Sequence, residues 1–217
     1  IKTLIGMESK SLSNELITAF DMEPEMPSTS AFVQQRYKIK PEAFKAVFDG
    51  FTSRLINNTS TELRIFAIDG SDIQIATNPD DATSYFPGTN GQNPYNLLHL
   101  NALYDLNNHI YTDAIIQGGM DKNEHIALQE MVDNSDILKA LVIADRGYES
   151  FNSMAHIQEK GWFFLIRVKD GVNGIKNGLD LPATDCFDTD ICLKLTRKQM
   201  NEVKELLKDK NHYRFIS

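Results

Sequence analysis

Apolar residues follow two rhythms along the chain, and the rhythm changes near residue 61. Before it, the spacing is helical. Residues 11–17 open one short helix, and Ser28, Thr29 and Ser30 cap a second that runs to Arg36. Pro41 sits in the first turn of a third helix, where Pro is well tolerated. In that helix Phe44, Val47, Phe48 and Phe51 recur at i, i+3, i+4 and i+7, which predicts one apolar stripe. After residue 61 the apolar runs shorten and read as strands, over 63–69, 96–104, 110–117, 140–145 and 162–168. Residues 71–77 continue the first strand beyond a turn. Amphipathic helices over 123–132 and 151–160 separate the last three strands. From Gly171 on, glycines and Pro182 interrupt the pattern; 192–195 reads as a strand, 196–208 as a helix or a loosely patterned strand pair, and the ending from Arg214 as mid-strand.

The predicted order is strand, strand, strand, helix, strand, helix, strand. Three meander strands followed by a crossover helix and a parallel strand form the ribonuclease-H-like arrangement. The expected fold is therefore α/β, a ribonuclease-H-like mixed sheet flanked by helices, preceded by an N-terminal helical segment. In that arrangement the first and fourth strands are neighbours at the centre of the sheet.

Both of those central strands close on an aspartate. The first runs Leu63 to Ile68 and reaches Asp69-Gly70-Ser71; the second runs Ala140 to Ala144 and reaches Asp145-Arg146-Gly147-Tyr148. Open sheets place ligands at the C-terminal edge of their strands. An Asp before Gly is also an ordinary turn or cap residue. The pair carries more weight than either member, because neighbouring carboxylates repel unless a cation or proton lies between them. Two such groups suit a hard divalent ion. Arg146, Arg167 and Lys169 are candidate phosphate contacts, each with an alternative reading as a solvated or ion-paired surface group. His99, in a run of leucines, reads as a packed, hydrogen-bonded residue, and Trp162 and Tyr148 as core. Asp72 and Asp105 read as turn residues. The loop 88–93 lacks the spacing and Lys of a phosphate-binding loop.

Charge qualifies this picture. The net charge is −8, which argues against one large nucleic-acid surface. It is unevenly spread: Arg36, Lys38, Lys40, Lys45 and Arg54 face only Glu42 and Asp49 between residues 36 and 54. The two cysteines, Cys186 and Cys192, form no CxxC pair and have no His cluster beside them, so a reduced, cytosolic setting is expected. No apolar run is long enough to span a membrane. A start at Ile1 and an end in mid-strand suggest a piece of a longer protein.

The segments 66–71 and 142–148, with 161–169 and the lead-in stretches 27–32 and 39–44, together resemble bacterial insertion-sequence transposases of the Asp-Asp-Glu type, in the insertion-sequence-four-like group. The resemblance covers roughly residues 25–170. It implies a nuclease and strand-transfer site with two Mg²⁺ ions, for which Mn²⁺ can substitute. Asp69 and Asp145 would match the first two acids, Asp69 bridging the ions and Asp145 holding one. The family's third acid, a Glu, lies on a later helix in a Tyr-x-x-Arg-x-x-x-Glu-x-x-x-x-x-x-Lys pattern beyond a β-rich insertion. That pattern is not found here, and Glu202 and Glu205 lack its companions. The implied organisation is a helical region with possible DNA contact at 1–60, a catalytic core at 61–170, and the truncated beginning of the insertion at 171–217.

The resemblance further implies DNA transposition and recombination as the activity, double-stranded transposon ends and target DNA as partners, and a dimer in the DNA complex. The setting would be the bacterial cytoplasm, with no membrane association. A fragment without the third acid would be inactive. Two other readings remain open: a catalytically dead, transposase-derived DNA-binding protein, and a ribonuclease-H-like nuclease of another substrate.

Overall fold

A computed structural model describes residues 1–55, 63–89, 91–171, 174–193 and 211–216. The chain divides into two compact units, Ile1–Leu55 and Ile56–Ser217.

The first unit is helical, with α1 (Lys2–Ile5), α2 (Leu12–Phe20), α3 (Thr29–Arg36) and α4 (Glu42–Leu55). Ser11 and Ser28 cap α2 and α3, their hydroxyls accepting from Asn14 and Ala31 amides at 3.4 and 3.2 Å. Buried Glu15 ties the connection ahead of α2, its Oε1 accepting from the Glu8 and Lys10 amides. The stripe predicted on α4 forms at the predicted spacing, but Phe44, Val47 and Phe51 are exposed and Phe48 is only half-buried.

The second unit is built on one mixed sheet. Its strands are β1 (Arg64–Ile75), β2 (Tyr85–Phe86), β3 (Tyr95–Asp105), β4 (Ile110–Gly118), β5 (Ala140–Ala144) and β6 (Phe163–Ile166). Helix α5 (Glu124–Asn134) joins β4 to β5, and α6 (Phe151–Glu159) joins β5 to β6. The order is β2–β3–β1–β5–β6, with β4 also on the outer side of β3. The meander pairs are antiparallel, while β1–β5 and β5–β6 are parallel. This is the ribonuclease-H-like arrangement, with the first and the later Asp-bearing strand adjacent at its centre.

Alternation explains the core. Phe66 and Ile68 of β1, Leu103 of β3, and Val142 and Ala144 of β5 turn to one face, where Leu128, Met131 and Val132 of α5 and Ile157 of α6 cover them. Trp162 is buried among them, its ring 5.6 Å from Phe66 and its Nε1 donating to the Ile137 carbonyl at 2.9 Å. Strand β6 lies at the edge and leaves Phe163 and Leu165 half exposed. The tail adds a separate antiparallel pair, β7 (Asp188–Leu193) with β8 (Asn211–Ile216). Residues 196–208, including Glu202 and Glu205, lie outside the described residues.

Two sequence expectations fail inside the sheet. Gly70 is not in a turn: β1 runs unbroken through it, and Asp69, Gly70 and Ser71 pair with Ala102, Asn101 and Leu100 of β3. Glycine is there for close approach of other side chains, as described below. Asp72 likewise lies in mid-strand opposite His99. Asp105 does organise a turn, accepting from the Asn107 and Asn108 amides, but it is also fully buried and ion-paired with Arg64 at 2.8 Å.

Candidate active site

The β1–β5 ladder runs in parallel register from Arg64↔Ala140 to Ala67↔Ile143. Two places further in that register, Asp69 stands level with Asp145. Ala144 ends β5, and Asp145 then caps a short 3-10 turn (Arg146–Tyr148), its Oδ1 accepting from the Gly147 amide at 2.7 Å. Asp69 Oδ1 accepts from the Gly70 amide at 2.9 Å. Both aspartates are exposed, and neither makes an ion pair with Lys or Arg among the described residues. The structure thus brings the two sequence-predicted acids to one edge of the sheet, with no Lys or Arg paired to them among the described residues.

A third carboxylate, Glu124, shares this edge and was not singled out from sequence. It is the first residue of α5, following the capping residue Asn123. Its two oxygens reach over both Asp-bearing segments. A Cβ placed on Gly70 would lie 2.8 Å from Glu124 Oε1, and one on Gly147 would lie 3.2 Å from Glu124 Oε2. The signal was topological. Strand β4 runs parallel to β1, so the chain leaves it at the Asp69 edge, and the helix leading back to β5 must begin there.

Two buried polar atoms face the cluster. The Tyr148 hydroxyl, on a side chain only 1% exposed, has no hydrogen-bond partner among the described residues. Burial first, and then the charges of Glu124, Asp69 and Asp145, push this phenol well above its ordinary range. His99 is 2% exposed and its Nδ1 lies 2.6 Å from Asp72 Oδ1, as expected for a packed histidine. His99 Nε2 lies 3.2 Å from Glu124 Oε1 but without hydrogen-bond alignment, and it remains unsatisfied. Asp72 is held below the ordinary carboxylate range by its bonds to His99 and Lys122.

The basic candidates divide. Arg146 starts the 3-10 turn beside Asp145 and is exposed. Arg167 is exposed just past β6, and its amide donates to the Ala144 carbonyl, so it shares the Asp145 edge. Lys169 is committed elsewhere: its amide donates to buried Glu149 at 2.6 Å, and its Nζ lies 3.7 Å from the same carboxylate.

The donors suit a hard divalent cation, being carboxylate oxygens open to solvent and lacking a neutralising side chain. Among the described residues no three His, Cys, Asp or Glu side chains already converge on one point. The backbone register brings the two aspartates to one edge.

A mixed sheet whose central parallel pair carries two level aspartates defines a ribonuclease-H-like protein. The family described as Transposase DDE domain matches residues 60–214, and the chain belongs to it. No curated protein and no solved structure matches the chain. Among the described residues no helix is long and apolar enough to cross a membrane.

Proposed function

We propose that this chain is the catalytic core of an insertion-sequence-four-like DNA transposase, cutting phosphodiesters at transposon ends and joining them to target DNA. The observation that carries the reading is the level placement of Asp69 and Asp145, neither of which is ion-paired to Lys or Arg among the described residues. Asp69 and Asp145 would hold Mg²⁺, or Mn²⁺ in its place. When bound, two such ions lower the barrier to water attack and stabilise the leaving oxygen. The protein's part is to fix both carboxylates on rigid strands, so that the ions and the scissile phosphate meet in one geometry. Arg146 and Arg167, on the same edge, would contact DNA phosphates; Lys169 contributes less, because Glu149 holds it.

Double-stranded DNA is the partner, and joining two ends needs a dimer in the DNA complex. The chain works in the bacterial cytoplasm. The Tyr-Arg-Glu-Lys pattern of the family's later helix is not found in the sequence, and without that glutamate strand-transfer activity would be low.

The test is a crystal soaked in Mn²⁺. An anomalous peak between the Asp69 and Asp145 carboxylates supports the reading. A peak only elsewhere, or none, overturns it.

A further inference from the structure

We propose that Glu124 is a third carboxylate of this metal centre, carried to Asp69 and Asp145 on the first turn of α5; the proposal rests on the metal-dependent reading above. It is distinct from the glutamate that the family resemblance puts on a later helix.

Glu124 has an ordinary alternative role. An acid in the first turn of a helix gains from the helix dipole and commonly faces water. Three observations set this one apart. The residue before it is clamped to the sheet: Gln117 Oε1 accepts from the Asn123 amide at 2.9 Å, and Gln117 Nε2 donates to the Asn123 carbonyl at 3.3 Å. Buried Asn101 braces that clamp, its Nδ2 donating to Gln117 Oε1 at 3.2 Å. The first turn of α5 is therefore fixed to β4 and β3 rather than left to fray.

The carboxylate itself is then aimed. One oxygen lies over Gly70, the residue after Asp69, and the other over Gly147, two residues after Asp145. Any side chain at Gly70 would displace both Glu124 Oε1 and His99 Nε2, which stand 2.8 and 2.6 Å from where its Cβ would be. The two glycines leave the room that Glu124 occupies over the segments carrying Asp69 and Asp145.

The third observation is the pair of unsatisfied buried atoms. Tyr148 Oη lies within the field of all three carboxylates, and His99 Nε2 faces Glu124. Buried polar atoms are nearly always satisfied, so two orphans around one acidic cluster point to a missing polar component there. A hydrated divalent cation supplies water and charge together. His99 acts as a positioning residue. Its ring is fixed by Asp72, which Lys122 in turn holds at 3.1 Å.

The experiment is a Mn²⁺ titration of the 217-residue chain, with free ion followed by electron paramagnetic resonance. It compares the wild type with Asp69→Asn, Glu124→Gln, Glu124→Asp and Glu130→Gln, the last altering an exposed acid on the same helix. Metal-free melting temperatures are recorded for each. Glu124→Gln is expected to weaken Mn²⁺ binding about 10- to 100-fold, the range seen when groups supporting a metal site are lost. Glu124→Asp should fall between it and the wild type, and Glu130→Gln should match the wild type. If Glu124→Gln fails to fold, the Glu124→Asp affinity decides alone, and a wild-type value overturns the proposal. Wild-type binding by Glu124→Gln beside impaired binding by Asp69→Asn overturns the Glu124 role and leaves the metal reading standing. Wild-type binding by Asp69→Asn, or none by the wild type, overturns both.

Discussion

Strand β1 meets one acid at its start and carries another at mid-strand, and they are treated in opposite ways. At the lower end Asp105, from neighbouring β3, is fully buried. It takes a guanidinium from Arg64 and donors from Asn107 and Asn108, among them Asn108 Nδ2 at 2.7 Å. At mid-strand, Asp69 accepts from the amide of the next residue and, among the described residues, pairs with no Lys or Arg. The first acid is a structural element with every need met inside the chain. The second is held in a place where its charge is left open, which costs stability unless something from outside supplies the opposite sign. The difference separates a carboxylate that supports the fold from one that is available for chemistry.

The largest test of that contrast is Arg64→Ala. It strands the buried Asp105 charge and should lower the unfolding free energy by roughly 3–5 kcal/mol, measured in urea. Asp69→Asn should leave stability unchanged or raise it slightly, because it removes repulsion. Equal losses from the two would erase the distinction.

The next effect comes from added metal. Mn²⁺ at a free concentration 100 times its Kd should stabilise the wild type by about 2.7 kcal/mol, and Asp145→Asn should lose that gain in a thermal melt. A smaller effect tests the crowding over the site. Gly70→Ala should destabilise by roughly 1–3 kcal/mol, as overpacking does. Gly50→Ala, in α4 with nothing within 4 Å of its Cβ position, should instead stabilise by about 0.4–1 kcal/mol.

The smallest effect is a pH dependence. Tyr148 has a folded-state pKa raised above its unfolded one, so its contribution is present below the ordinary tyrosine value and lost above it. Stability should therefore fall as pH climbs past about 10, where the unfolded phenol ionises and the buried one does not. Tyr148→Phe should flatten that part of the profile in urea unfolding measured from pH 8 to 11.

Much of this was legible in the chain. Short apolar runs located β1, β3, β4, β5 and β6, and Ser11, Ser28 and Asn123 marked helix starts that the structure keeps. The meander and crossover order put the two Asp-bearing strands side by side. What could not be read were properties set across the sheet. Gly70 looked like a turn because Asp-Gly commonly is one; here the glycine makes room for a histidine from β3 and a glutamate from α5. Asp72 and Asp105 looked like loop residues because their partners, His99, Lys122 and Arg64, lie 27, 50 and 41 positions away. Glu124 drew no reading of its own, since its meaning depends on which edge of the sheet the helix begins at. The stripe on α4 was correct in spacing, yet spacing alone does not say whether a face is covered.

The mismatch in strand length has a consequence in time as well as in space. Strand β1 spans Arg64–Ile75, but its parallel partner β5 ends at Ala144. Its first four residues pair with β5, Phe66 and Ala67 pair on both sides, and beyond Asp69 only β3 remains. Amide hydrogens of one strand should then exchange with solvent deuterium on two clocks, slow throughout the lower half and alternating slow and fast through the upper. The changeover falls at Asp69, so whatever binds there and quiets the upper half will report its arrival through the kinetics of a strand it touches at a single residue.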